Sequence, residues 1–136
     1  MAANLSLQTK QLEKAAGYVE RLRKVAPDHP ATHRLEGDLA FAQRRYKDAL
    51  ASYRQASKRG DTSSQLVVQQ YRAALFGREP RPEQVMEDWV ARSPSDPVVV
   101  PALAAARQAK GDEQGAITLY ETAVAGDPDN AVLLNN

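Results

Sequence analysis

The stretch ALAAARQAKGDEQGAITLYETAVAGDPDN, from Ala102 to Asn130, decides the fold. It is interrupted in the middle by Gly111-Asp112 and closed by the Gly-Asp-Pro-Asp-Asn run at 126–130. Three residues between the two breaks follow the i, i+4, i+7 spacing of a single helix face: Ala116, Tyr120 and Ala123. The stretch therefore predicts two antiparallel helices that are joined by a short turn and stopped by a proline.

The same punctuation recurs upstream at regular intervals. Counting back from Pro128, equivalent breaks fall at Pro94, Asp61 and Pro27, which are separated by 34, 33 and 34 residues. Small and aromatic residues keep the same register in the second helix of each unit: Ala116, Ala49 and Ala15; Tyr120 and Tyr53; Ala123 and Ala56. A period near 34 with two helices per unit is typical of tetratricopeptide arrays. The chain therefore resembles the tetratricopeptide repeat (TPR) family over essentially its whole length.

The resemblance implies an all-α fold in which antiparallel helix pairs stack into an α-solenoid, or superhelix. The register predicts a partial repeat at 1–29, made of the end of one helix and a second helix at Gln11–Val25. Three repeats follow at 30–62, 63–96 and 97–130, and a truncated repeat begins at 131–136. That last segment carries Val132, Leu133 and Leu134 without a polar cap, which predicts a fragment of a longer array that can form a homodimer through exposed terminal helices.

The first two repeats differ in regularity. In repeat one, the stripe Leu35, Leu39 and Ala42 is predicted to face inward. Gly37 and Ala40 are small enough for a close helix approach. Its second helix, Tyr46–Lys58, places Ala49, Leu50, Tyr53 and Ala56 inward, and Gly60 provides a left-handed exit.

Repeat two has a turn at 77–82 that contains Pro80 and Pro82, so its second helix is predicted to begin near Pro82 and end near Arg92. We interpret this turn as a tolerated irregularity, with a recognition loop as the alternative. Trp89, the only tryptophan, is predicted to pack in the core or between repeats, with an exposed binding role as the alternative.

Charge and composition exclude several classes of function. The chain has 18 basic and 17 acidic residues, so it has no field that would recruit nucleic acid or an anionic membrane. It has no cysteine, which excludes disulfides, thiolate nucleophiles and cysteine zinc sites. No run of 18 apolar residues and no signal pattern is present, so we expect no membrane insertion by this stretch.

No set of residues suggests catalysis. His29, His33 and Glu36 have the residue types of a metal site, but Pro30 intervenes and no third convergent ligand is evident. We interpret the histidines as surface or capping residues. The serines have no glycine-flanked elbow, and the glycines mark helix ends, not a phosphate loop. The sequence predicts a protein that is not an enzyme and uses no metal or cofactor.

The resemblance to TPR proteins implies that the first helices line a concave groove that binds a protein or peptide. Carried onto this register, the groove positions are Arg34, Asp38, Phe41, Ser64, Val67, Tyr71, Leu75 and Gln108. Tyr71, Phe41 and Arg34 are the strongest candidates because aromatic residues and arginine dominate binding hot spots. Chaperone-binding TPR proteins hold a terminal carboxylate with a Lys/Asn clamp, but here Arg34 with Asp38 and Val67 with Tyr71 occupy those positions, which argues against that subclass.

A finer resemblance rests on three runs and on Trp89 before Pro94. The runs are Leu35-Glu36-Gly37-Asp38-Leu39, Ser63-Ser64-Gln65-Leu66 and the segment from Pro128 to Asn136. They are similar to the long TPR lipoproteins found beside exosortase (PEP-CTERM) and exopolysaccharide loci of Gram-negative bacteria. That similarity implies a scaffold in the periplasm or cell envelope that aids exopolysaccharide assembly or export; without it we expect a cytoplasmic protein. The alternative is the substrate-docking or regulatory portion of an enzyme such as a glycosyltransferase.

Overall fold

A computed structural model describes the backbone of residues 2–126 and the side chains of residues 8–126. The described range contains seven helices and no strand: α1 (Ala2–Val25), α2 (Pro30–Ala42), α3 (Tyr46–Lys58), α4 (Ser64–Phe76), α5 (Gln84–Arg92), α6 (Val99–Ala109) and α7 (Glu113–Gly126). The all-α prediction is confirmed. None of these helices has both the length and the apolar character that crossing a membrane requires.

The helices form two compact units, Met1–Thr62 with α1 to α3 and Ser63–Asn136 with α4 to α7. Within each unit, consecutive helices pack against one another. The predicted further repeat at 131–136 lies outside the described residues. The same holds for its apolar residues Val132, Leu133 and Leu134, on which the predicted homodimer depends.

The first helix differs from its prediction. We expected the end of one helix before Gln11, followed by a second helix, whereas Ala2–Val25 is a single continuous helix. Residues 2–16 contain neither glycine nor proline, so nothing in the local sequence ends a helix near Gln11. The predicted inward face is confirmed at Val19, which is buried.

In the first unit, α2 and α3 approach closely at Gly37. The ring of Tyr53 is buried against this glycine, and a Cβ atom at Gly37 would lie 2.6 Å from ring atoms Cδ1 and Cε1. The Tyr53 hydroxyl donates a hydrogen bond to Asp38 Oδ1 at 2.6 Å. The predicted close approach is confirmed, as is the inward face of α3 at Ala49, Leu50, Tyr53 and Ala56.

The predicted inward stripe of α2 is only partly correct. Leu39 is buried, but Leu35 and Ala42 are exposed, whereas Thr32 is buried on the inward face together with the predicted small residues Gly37 and Ala40. The contact with Tyr53 fixes which side of α2 faces α3. Leu35 precedes Gly37 by two residues, which rotates it by roughly 200° around the helix, so it must point away.

The same turn ends four of the helices. The residue after each helix cap has positive φ: Arg44 (63°), Gly60 (109°), Arg78 (57°) and Gly111 (85°). The following N–H then donates back into the last turn: Arg45 to Ala40 O (2.8 Å), Asp61 to Ala56 O (3.0 Å), Glu79 to Ala74 O (2.9 Å) and Asp112 to Arg107 O (2.8 Å). This is the Schellman motif, and it confirms the left-handed exit at Gly60. At the ends of α2, α4 and α6 the left-handed residues are spaced 34 and 33 apart, so the sequence period is also a period of backbone geometry.

The second unit has an apolar core made by residues from α4, α5, α6 and α7: Val67, Met86, Val99, Val100, Leu103, Ala104, Ala106, Ala116, Leu119 and Ala123. Trp89 packs against this core and donates from Nε1 to Asp96 Oδ2 at 2.9 Å. The prediction that Trp89 is a packing residue is therefore confirmed. The turn with Pro80 and Pro82 delays α5, which begins at Gln84 and ends at Arg92.

The Asp96 carboxylate connects three helices of this unit. It accepts hydrogen bonds from Ser64 Oγ (2.5 Å), Trp89 Nε1 (2.9 Å) and the N–H groups of Val98 (2.8 Å) and Val99 (3.0 Å). These donors belong to the start of α4, to α5 and to the start of α6. Burial acts to raise the pKa of Asp96, but the four hydrogen bonds outweigh it, so the pKa is lowered.

We predict opposite effects for alanine at two helical glycines of the first unit. Gly37→Ala should lower the free energy of unfolding by about 1–3 kcal/mol, because its methyl group overlaps the buried Tyr53 ring. Gly17→Ala in α1 meets no atom within 4 Å and should raise it by up to about 1 kcal/mol through helix propensity. Urea unfolding followed by circular dichroism measures both. Equal stabilisation by the two variants would show that α2 and α3 do not touch at Gly37.

Asp96→Asn should lower the free energy of unfolding by about 1.5–3 kcal/mol near neutral pH, since hydrogen bonds to an ionised group are lost. Asp88→Asn is the control, because exposed Asp88 accepts a single bond from Gln84, and it should change stability by less than about 0.5 kcal/mol.

The effect should also depend on pH. The lowered pKa of Asp96 means that its carboxylate stabilises the fold above the unfolded-state value near about 3.9, and that this contribution is lost as pH falls through the folded-state pKa. The stability difference between wild type and Asp96→Asn should therefore shrink below about pH 4. A difference that stays constant to about pH 3 would contradict the role of the charge.

Candidate partner-binding site

In the first unit, the predicted groove residues lie along one face of α2. Arg34 Nη1 is 3.5 Å from Asp61 Oδ2, and Asp38 accepts the hydroxyl of Tyr53. Phe41 contacts Tyr46 edge to face, with 5.1 Å between ring centroids. All three residues are half-buried. Each therefore helps to connect α2 with the residues that follow it and also keeps some surface accessible.

In the second unit, the predicted groove residues divide into two groups. Val67 is 5% exposed within the core and leaves little surface for a partner, and the hydroxyl of the half-buried Ser64 is already donated to Asp96. Tyr71 is half-buried against the core, while Leu75, one turn later on α4, is 43% exposed. Gln108 is exposed on α6. The accessible part of the predicted site in this unit is thus Tyr71 with Leu75, and separately Gln108.

An ion pair beside Tyr71 was not predicted from the sequence. Glu83 is only 7% exposed, and its Oε1 lies 2.8 Å from Nζ of Lys110. Glu83 is the residue before α5, and Lys110 follows the last residue of α6. The only signal in the sequence is an acidic residue directly after Pro82, and nothing in it indicates that a lysine 27 positions later folds against it.

The charges of this pair affect one another and Tyr71. Burial acts to raise the pKa of Glu83, but the hydrogen bond from Lys110, a backbone hydrogen bond and the positive charge of Lys110 together outweigh it, so the pKa is lowered. The same bond raises the pKa of Lys110. For Tyr71, burial and the Glu83 charge raise the pKa while Lys110 opposes them. Tyr71 therefore stays a neutral phenol near neutral pH, able to donate a hydrogen bond but poor as a base or nucleophile.

The two histidines do not converge on a metal site. His29 Nδ1 accepts the N–H of Ala31 at 3.0 Å, which makes it the N-cap of α2 and confirms a capping role. Glu36 lies 3.6 Å from Arg23 Nε, and the buried Nε2 of His33 has no hydrogen-bond partner among the described residues. Among side chains 8–126, no three His, Cys, Asp or Glu residues are grouped as metal ligands.

No protein-family model matches this sequence, and no curated protein shows significant similarity to it. The residues themselves must therefore carry any functional assignment.

Removing one or the other charge near Tyr71 should shift the pKa of Tyr71 in opposite directions. Glu83→Gln removes a negative charge and should lower the pKa of Tyr71, whereas Lys110→Met removes a positive charge and should raise it. Titration of ring-labelled tyrosines by carbon NMR measures both, with the Tyr71 signal assigned from Tyr71→Phe. Shifts in the same direction in the two variants would contradict the proximity of both charges to Tyr71.

Proposed function

We propose that this chain is a non-catalytic, TPR-like interaction scaffold that binds a protein or peptide partner along its first helices. Two features support a TPR-like array of helix pairs. The Schellman turns that end α2, α4 and α6 follow the period of about 34 residues, and the equivalent positions Ala49 and Ala116 are both buried. We further propose that the pairs stack as a solenoid whose concave groove takes the partner.

The observation that carries the proposal is the environment of Tyr71. Tyr71 packs on the core of the second unit and is only half-buried, and Leu75 is exposed one turn away on the same helix face. A half-buried aromatic residue that already packs on a core loses little entropy when a partner covers it, which is the usual character of a hot-spot residue. The neutral phenol adds a directed hydrogen bond to this apolar surface.

The proposal of a non-catalytic protein rests on the titratable groups. Four groups in the described range have clearly shifted pKa values: Tyr71, Glu83, Asp96 and Lys110. Glu83 and Lys110 are shifted by the ion pair that they form with each other. Asp96 is shifted by the hydrogen bonds that it accepts from residues of other helices. Tyr71 is shifted mainly by its own burial against the core. Shifted groups can mark active sites, but packing accounts for these four.

A peptide-display selection on the full chain tests the binding role. Peptides selected on the wild type should bind Tyr71→Ala at least about tenfold more weakly, since a hot-spot aromatic contributes about 2 kcal/mol or more. Tyr18→Ala is the matched control, because Tyr18 is 62% exposed on α1, outside the proposed surface, and should leave affinity unchanged. Circular dichroism checks that both variants fold. Undiminished binding by a folded Tyr71→Ala variant would refute the assignment.

We also propose a cell-envelope location, facing the periplasm, for the parent protein. Its support is the similarity of the three short runs to envelope TPR lipoproteins, which implies a role in exopolysaccharide assembly or export. Fractionation of the parent cell with an antibody against this chain tests the location, and recovery from the cytosol alone would contradict it.

A further inference from the structure

The turn between α4 and α5 holds two arginines in a conformation that glycine would adopt more readily. Arg78 has φ 57° and Arg81 has φ 55°, in the left-handed region where side chains are rarely found. Both are exposed. Within the described part of the chain, neither guanidinium makes a hydrogen bond or an ion pair. Glu79 lies between them in sequence and is half-buried, but it pairs with neither.

This turn is rigid despite its length. Pro80 and Pro82 fix their own φ angles. The backbone is held at both ends, by Arg78 N–H to Leu75 O (3.2 Å) and Glu79 N–H to Ala74 O (2.9 Å), and by Gln84 N–H to Arg81 O (3.1 Å). Glu83, which follows Pro82, is buried and forms an ion pair with Lys110. The arginines are therefore presented by a preorganised backbone, which lowers the entropy lost when a partner binds.

An exposed apolar side chain lies close to these arginines in the sequence. Phe76 is the last residue of α4, two positions before Arg78, and it is 51% exposed. An exposed aromatic residue at the end of α4 can supply apolar contact, and the two exposed guanidinium groups of the turn that follows can bind carboxylates in a bidentate manner. With a net charge of +1 the chain as a whole does not attract polyanions, so the charge of this surface is local.

We propose that the turn at 77–83 is a recognition loop for an acidic peptide segment, in which Asp or Glu side chains flank an apolar residue. The carboxylates pair with Arg78 and Arg81, and the apolar side chain packs on Phe76. This inference goes beyond the scaffold role proposed above, because it uses residues outside the surface formed by Tyr71 and Leu75, which we call the Tyr71 surface. It also favours the alternative to our first interpretation of the turn, which was a tolerated irregularity.

The test separates binding from folding. The full chain is titrated with a fluorescein-labelled synthetic peptide in which Glu and Asp surround a single Leu, and fluorescence anisotropy is measured. The Arg78→Gly, Arg81→Gly double variant should bind at least about tenfold more weakly, because two charge-assisted contacts are lost. Its melting temperature should rise, since glycine adopts positive φ without strain. A loss of binding in a more stable protein cannot result from unfolding.

Arg44→Gly is the matched control. Arg44 occupies the left-handed position after α2 that is equivalent to Arg78 after α4, so this variant loses one positive charge and is relieved of strain at one residue. Its melting temperature should rise while its affinity for the peptide stays unchanged. The wild-type affinity should fall as salt is increased, and a peptide with Lys in place of the acidic residues should not bind.

Four results would overturn the inference. The first is no measurable binding of the acidic peptide to the wild type, and the second is equal affinity in the Arg78→Gly, Arg81→Gly variant. The third is competition by heparin or polyphosphate as strong as that of the unlabelled peptide, which would indicate a general anion surface. The fourth is loss of binding in Tyr71→Ala but not in the arginine variant. That last result would place the peptide on the Tyr71 surface and support the proposed scaffold function.

Discussion

Each helix pair depends on one backbone constraint, the left-handed residue that ends its first helix. A helix leaves its last carbonyl groups without partners, and the bond from the second residue after the cap satisfies one of them while the chain reverses. Arg44, Arg78 and Gly111 occupy this position after α2, α4 and α6. Because the reversal occurs at the same point of each period, Ala49 and Ala116 both reach buried positions in the helix that follows.

The sequence was informative where local chemistry decides the structure. The bounds of α3 agree with their prediction, and Gly60 marks the end of this helix with a left-handed turn. At the start of α4, Ser63 caps the helix because its Oγ accepts the N–H of Leu66. Prediction was wrong where a contact distant in sequence decides. Leu35 was assigned to the inward face of α2, yet the fit of Tyr53 against Gly37 selects another side of that helix.

In the candidate site too, the sequence predicted what local pattern decides and missed what distant contacts decide. The repeat register indicated which side of α4 to consider and included Tyr71, which lies half-buried against the core. It did not distinguish accessible positions from those used for packing, because the core that takes up Val67 is built from three other helices. Nor did it indicate that Glu83 and Lys110 form an ion pair beside Tyr71. Such a pair is decided by tertiary packing, since each residue alone has the pattern of an ordinary surface charge.

The position of Trp89 makes the second unit spectroscopically distinct. It is the only tryptophan, it belongs to α5, and its indole N–H is bonded to Asp96 within Ser63–Asn136. Intrinsic tryptophan fluorescence therefore follows the unfolding of that unit alone, whereas far-ultraviolet circular dichroism follows the helices of both. Coincident transitions by the two methods mean that Met1–Thr62 and Ser63–Asn136 unfold as one cooperative block, and separated transitions mean that each has its own stability.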